Sequence, residues 1–268
     1  MINKIIRQVK ANRKYKTISD EIVLEAVKEH LKSSQINLEQ VTKQDIKEIR
    51  EKLYRLYSSY QTKKKNKREK LLDKLEEKEE VTDELLSLVI STKERINDYK
   101  KIYSSIFEIT GKPEIIADLG CGMNPLSFPL MNLKNIQYFA YDIDEEDIRF
   151  LNKYFEIMKP KGLNGKAEIF DVRNLEKISE LHEADIVFMF KLIDLIDSRK
   201  KNISEHLIKS LFEKNKCRFI AASFATKTLS GKSMNLPQRR GFELMLLRNR
   251  FKFKKFSTEN EVFYVIWN

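Results

Sequence analysis

Glycine is scarce in this chain, with 7 residues in 268, well under the usual ~7%. Proline is scarcer at 5, and residues 1–108 contain neither. Without glycine a stretch has no easy way to turn through positive φ, so this region reads as helices joined by short links. The only cysteines are Cys121 and Cys217. Both sit beside apolar runs that read as buried strands, so two reduced thiols and no disulfide framework are expected. His30, His182 and His206 are scattered, with no ligand spacing among themselves or with the cysteines, and no metal site is expected. No apolar run approaches the ~20 residues of a membrane span. The basic start, MINKIIRQVKANRKYK, lacks the apolar stretch of a signal peptide. A cytoplasmic protein with no membrane partner is the expectation.

Positive charge is in excess. The formal net charge is +11, which suggests an acidic partner, phosphate backbone being the commonest. Lys-, Ile- and Asn-rich chains also arise from AT-rich genomes, so charge alone leaves nucleic-acid binding open. In the stretch Lys63–Glu80 the opening KKKNKREK carries six basic residues in eight. It reads either as a solvated helix face with local ion pairs or as a phosphate-contacting patch.

The length allows one large domain or two modest ones, and the pattern divides the chain into residues 1–108 and 109–268. In the first part a helix is expected over Ile18–Leu31, with Ser19 as N-cap, Asp20 and Glu21 in the first turn, and Ile18 stapled onto Val23. Apolar stripes predict two more helices, over Ile46–Tyr57 and Asp83–Phe107. From Ile115 onward short apolar runs alternate with helical stretches. The runs are Ile115–Leu119, Gln137–Asp142, Ala167–Phe170, Ile186–Phe190, Phe219–Phe224 and Val262–Trp267. The helical stretches are Glu145–Met158, Ser204–Lys214 and Gly241–Arg250. This alternation predicts an α/β fold with a doubly wound parallel sheet. The Thr258-Glu259-Asn260 turn adds a closing antiparallel hairpin.

Two of the seven glycines lie two positions apart in IIADLGCGMNPLSFP, directly after the first strand. A strand ending in such a turn lets backbone N–H groups approach a ligand. The turn is not the dinucleotide fingerprint: a third glycine would fall at position 125, which is Pro125, and proline removes a donor. A nucleoside ligand without a pyrophosphate is favoured, and S-adenosylmethionine is one. Asp142 ends the second strand some twenty residues on, where a carboxylate can hold a ribose diol. Asp171 ends the third, within reach of an adenine edge, and Lys191 ends the fourth.

Several segments, in order along the chain, resemble one family. They are Arg13-Lys14-Tyr15, KLYRLYSSY from Lys52 to Tyr60, Ser91-Thr92-Lys93-Glu94-Arg95, GCGMNPLSFP, Tyr141-Asp142-Ile143-Asp144, Phe190-Lys191-Leu192, Ser223–Leu229 and Tyr264-Val265-Ile266. Together they resemble the aminoglycoside-resistance 16S rRNA (guanine-1405 N7) methyltransferases. Ala225 and Asp194 depart from the pattern, each standing where that family tends to carry proline.

The resemblance implies a class I methyltransferase-like domain over residues 109–268, which binds S-adenosyl-L-methionine, after a helical rRNA-docking domain over 1–108. Arg95 is expected at the methionine carboxylate, whose geometry suits the guanidinium fork. Asp118 would order the loop or hold the amino group, Gly120 and Gly122 would let backbone pass the ligand, and Asp142 would hold the ribose. Asp171 and Val172 would read adenine, while Lys191 and Leu192 would border the methyl-transfer pocket. No catalytic base is expected, because guanine N7 carries a lone pair and no proton. The rRNA contacts are expected from Lys14, Lys16, Arg50, Lys63, Lys64, Lys65, Lys227, Lys232, Arg239 and Arg240. The partner would be 16S rRNA in the 30S subunit, met by a monomer. Two other readings stand beside this one: the same fold acting on another rRNA or tRNA base, and a non-catalytic ribosome-assembly factor.

Overall fold

The computed structural model of the chain describes residues 1–56, 67–77, 79–197, 202–227 and 239–268. Helices come first: α1 (Ile2–Lys10), α2 (Asp20–Ser34), α3 (Lys43–Leu56), α4 (Arg68–Glu76), α5 (Thr82–Leu86), α6 (Ile90–Lys93) and α7 (Tyr99–Thr110). Ser19 caps α2 as expected, its Oγ accepting the Ile22 N–H at 3.3 Å. Ile18 and Val23 are both fully buried. Apolar faces of α1, α2 and α3 close on one another in a cluster that includes Val9, Val27, Ile49 and Leu53.

The single helix expected over Asp83–Phe107 is instead three pieces, α5, α6 and α7. Val89 is extended (φ −130°, ψ 145°). The buried Thr92 hydroxyl donates to the carbonyls of Leu86 and Val89 at 2.5 and 3.1 Å, closing the break between α5 and α6. Tertiary demands here outweigh a helical apolar stripe.

The second half alternates as predicted: β1 (Ile115–Leu119), β2 (Ile136–Asp142), α8 (Glu145–Met158), β3 (Leu163–Ile169), β4 (Ile186–Phe190), α9 (Ile193–Ile196), α10 (Ile203–Glu213), β5 (Phe219–Ala225), α11 (Arg240–Arg248), β6 (Lys252–Ser257) and β7 (Glu261–Trp267). The described strands form one sheet in the order β3-β2-β1-β4-β5-β7-β6. The first five are parallel, and β7 and β6 close the edge antiparallel. The hairpin expected around Thr258–Asn260 is present, with the Thr258 N–H donating to the Glu261 carbonyl at 2.9 Å. Strands buried on both faces carry continuous apolar runs, as Ile186–Phe190 does. One face packs against α7 and α8, the other against α10 and α11. Among the described residues no helix is long and apolar enough to cross a membrane.

One glycine is fixed by packing. A Cβ on Gly165 of β3 would lie 2.1 Å from Phe155 Cδ1 of α8. Gly165→Ala therefore forces Phe155 from its place, and overpacking of this kind costs about 1–3 kcal/mol. The urea midpoint should fall with the slope unchanged. An unaltered midpoint would show that Phe155 has room to swing aside.

Candidate functional site

The strand order reverses between β1 and β4, and ligands of open α/β sheets bind where such a reversal splays the strand ends. An open cleft lies there, lined by residues at the ends of all four of β1, β2, β3 and β4. Seven of the nine residues expected at a cofactor are brought onto its wall: Gly120, Gly122, Asp142, Asp171, Val172, Lys191 and Leu192. Val89 and Ser91 of the N-terminal helical region complete it.

Gly120 (φ +62°) and Gly122 (φ +49°) both turn through the left-handed region, where other residues are strained. A Cβ on Gly120 would also lie 2.8 Å from Leu192 Cδ1, whereas the space beside Gly122 is open. The Gly122 N–H donates to Asp142 Oδ2 at 2.8 Å, and the Ile143 N–H donates to Asp142 Oδ1 at 2.7 Å. The carboxylate is thus aimed by backbone, with lone pairs remaining for a ligand diol. Burial pushes its pKa up, and these N–H donors pull against that shift. Asp171 is gripped by Arg173, whose Nε donates to Oδ1 at 2.9 Å, so this carboxylate stands in a fixed orientation.

Arg95 and Asp118 do not line the cleft; both lie behind its wall, 3% and 1% exposed. The sequence neighbourhood of Arg95 offers Glu94 and Asp98 as partners, but its guanidinium closes on Glu261 of β7, Nε to Oε1 at 2.6 Å and Nη2 to Oε2 at 3.0 Å. Burial works against the charge of Arg95, and Glu261 and Tyr99 together more than offset it, so the net shift is upward. Glu261 also accepts from Ser223 Oγ at 2.7 Å and lies 3.2 Å from Lys191 Nζ. Lys191 reaches Glu94 at 2.6 Å. Two cations and two carboxylates therefore alternate, with Lys191 on the cleft wall and Arg95 and Glu261 buried behind it. Lys191 itself has φ +56°, held by its N–H donating to Ser223 O and Oγ at 3.1 and 3.0 Å. Glu261 was not among the expected site residues. Its signal in sequence is one acidic residue opening the apolar run EVFYVIW.

Asp118 accepts from Tyr138 Oη at 2.7 Å and Asn124 Nδ2 at 2.9 Å. Tyr99 Oη donates to Asn124 Oδ1 at 3.1 Å, so Asn124-Pro125-Leu126 is anchored under the glycine turn. Burial raises the Asp118 carboxyl to about 7, the two hydrogen bonds only partly opposing it. Asp144, buried and facing Asp147, is raised to about 8.

The expected rRNA contacts divide. Lys14 is exposed, its ammonium 4.9 Å from the centre of the half-exposed Tyr54 ring, and Lys16 and Arg240 are exposed as well. Arg50 is engaged internally: Nε donates to Val9 O at 3.1 Å and Nη2 to Gln8 O, which binds the end of α1 to α3. Lys227 pairs with Glu259 at 2.6 Å. Arg239 pairs with Asp194 at 2.8 Å and lies 4.8 Å from the Phe224 ring centre. Lys63, Lys64, Lys65 and Lys232 lie outside the described residues. Of the basic run, Arg68 is neither solvated nor on a surface patch; it is buried against Asp147.

Comparison with known proteins follows the same lines. A family model described as Ribosomal RNA methyltransferase (FmrO) matches residues 11–265. A 16S rRNA (guanine(1405)-N(7))-methyltransferase of Proteus mirabilis is 28% identical over 200 residues, 72% of this chain and 67% of that protein. One from Frankia casuarinae is 25% identical over 179 residues, 66% of this chain and 60% of that protein. The match thus spans about two thirds or less of these relatives' length. Among solved structures, the 16S rRNA methyltransferase RmtF in complex with S-adenosyl-L-homocysteine superposes with a TM-score of 0.81 at 21% identity, covering 100% of this chain and 98% of that one. The 16S rRNA methylase ArmA is 26% identical with a TM-score of 0.57, covering 75% and 97%.

The raised Asp118 carboxyl has a measurable consequence. Its pKa is about 7 folded against 3.8 for the free group, so folding opposes its ionisation. Stability is fully present below about pH 4 and is lost as pH rises through 7. Asp118→Asn keeps an acceptor without the charge and should flatten this decline, melting several degrees above wild type at pH 8 but not at pH 4. Parallel melting curves across that range would show that Asp118 is not the group responsible.

Proposed function

The chain belongs to the FmrO family of ribosomal RNA methyltransferases, and from that premise we propose that it transfers a methyl group from S-adenosyl-L-methionine to N7 of guanine 1405 in 16S rRNA. The observation that carries the cofactor half of this reading is the Asp142 carboxylate, aimed by backbone N–H groups beside the positive-φ glycine turn. The open space at Gly122 and the fixed Asp171 fit an adenosine moiety between them.

In this reading Asp142 holds the ribose hydroxyls, Asp171 and Val172 face the adenine, and Lys191 and Leu192 border the methyl. Arg95 and Asp118 support the methionine end from behind, Arg95 through its ion pair with Glu261. When bound, the cofactor supplies an electrophilic sulfonium methyl, and guanine N7 has a lone pair and no proton to lose. The protein therefore needs no general base. Its residues contribute position and exclusion of water, for which Phe190, Leu192, Leu195 and Ile196 give the cleft apolar sides.

N7 faces the major groove, which is deep and narrow in A-form RNA. Recognition of a folded rRNA surface and extrusion of the base follow. Residues 1–108 form the docking part and 109–268 the methyl-transfer part, with exposed Lys14, Lys16 and Arg240 as the first phosphate contacts. The enzyme acts as a monomer in the cytoplasm, on the 30S subunit, and the modification would protect the decoding site from aminoglycosides.

The test is incubation with labelled S-adenosylmethionine and purified 30S subunits, followed by borohydride–aniline cleavage, which reports N7-methylguanine. Cleavage at position 1405 is expected. Label without cleavage would move the reaction to another atom, and no label in any RNA would remove the activity. In calorimetry, Asp142→Ala should lose S-adenosylhomocysteine binding by at least about 10-fold, roughly the worth of one charge-assisted hydrogen bond. Lys64→Ala should bind it as wild type does.

A further inference from the structure

Between β2 and α8 the chain makes an acidic turn, Asp142–Asp147, in which Asp142, Ile143 and Asp147 all line the cleft. The N-terminal region grips this turn from two sides. On one side Ile18 forms an antiparallel bridge with Asp144. The Ser19 N–H donates to Ile143 O at 3.3 Å and the Glu145 N–H donates to Thr17 O at 2.9 Å. The Thr17 hydroxyl donates to Asp144 Oδ2, while Asp144 Oδ1 caps α8 by accepting the Asp147 N–H at 2.8 Å. Ile143 is shared: it lines the cleft and packs against the cluster formed by α1, α2 and α3.

On the other side Arg68, the first residue of α4, donates from Nη1 to Asp147 Oδ1 at 2.7 Å. Both side chains are more than nine-tenths buried. The guanidinium lies 5.1 Å from the Phe150 ring centre, and its Nε and Nη2 are buried with no acceptor among the described residues. A buried ion pair with two unmet donors is a poor way to gain stability, since apolar residues of similar volume do as well or better. Its evident product is a fixed Asp147 on the cleft wall.

Both grips adjoin candidate phosphate contacts in sequence. Lys16 directly precedes Thr17, and Arg68 belongs to the basic run that opens at Lys63. We propose that Thr17 and Arg68 are positioning residues that set the Asp142–Asp147 turn for the cofactor, so that rRNA docking on the N-terminal helices and cofactor binding are thermodynamically linked. This rests on the reading of the cleft as the cofactor site. Linkage of this kind is reciprocal: a ligand that favours the gripped turn tightens binding of the other by the same factor.

The test measures the affinity of the full chain for purified 30S subunits, at one salt concentration, with and without saturating S-adenosylhomocysteine. For wild type the ligand should tighten 30S binding by about 5-fold or more, the lower end of ordinary couplings. In Thr17→Val and Arg68→Met that ratio should fall to near one, with KM for S-adenosylmethionine raised more than kcat is lowered. Thr17→Ser, which keeps the hydroxyl, should restore both. Cooperative melting of each variant guards against simple unfolding, and the near-isosteric Thr17→Val decides if Arg68→Met fails to fold. A wild-type ratio of one, or a ratio that survives in Thr17→Val, overturns the linkage. A wild type that takes up no S-adenosylhomocysteine overturns the cofactor reading itself, and the linkage with it.

Discussion

The Asp142 carboxylate ties together the turns that follow two neighbouring strands, β1 and β2. One oxygen takes the N–H of Gly122, beyond β1, and the other takes the N–H of Ile143, beyond β2. The cost is a carboxyl drawn out of water, visible in its raised pKa. What results is a wall whose polar atoms do not have to reorganise when a ligand arrives, the arrangement that makes electrostatics effective in a closed site. The left-handed glycines follow from it. At Gly122 the left-handed backbone turns the N–H to that oxygen, and at Gly120 Leu192 leaves no room for a Cβ.

Behind that wall Arg95 and Glu261 pair out of water, while Glu94, at the far end of the same run of charges, is 35% exposed. Arg95 and Lys191 alternate with Glu94 and Glu261, and Ser223 completes the coordination of Glu261. Removing Arg95 or Glu261 strands its buried partner where water screens it poorly, which is far more costly than the net worth of the pair. The antiparallel hairpin thereby has a role beyond covering the sheet edge. Its strand β7 delivers the carboxylate that lets a guanidinium and an ammonium sit side by side beneath the cleft.

Much of this fold was legible along the sequence. The strands Ile115–Leu119 and Ile186–Phe190 and the helix Glu145–Met158 have the expected bounds. Unbroken apolar runs and a clean amphipathic stripe leave little room for another reading. The strand expected over Ala167–Phe170 runs instead from Leu163 to Ile169. It is the edge strand, and its outward Asn164, Lys166 and Glu168 interrupt the apolar signal. The cleft was legible too, because its residues sit at strand ends that the pattern locates. The pairs Arg95–Glu261, Arg68–Asp147 and Thr17–Asp144 were not. Periodicity reports which residues share a face, and nothing in it reports which distant faces meet. For the same reason Arg50 read as a surface cation although it binds the end of α1.

The distances in sequence also order events in time. The Arg95–Glu261 pair joins residues 166 apart, and Thr17 meets Asp144 across 127. Contacts so remote close late, since the chain entropy of the loop must be lost before the contact returns anything. The β1–β2 and β2–β3 pairs join segments much nearer in sequence and cost less loop entropy. A molecule that binds in the cleft therefore meets segments that only the finished fold brings together, and binding adds to the persistence of that fold.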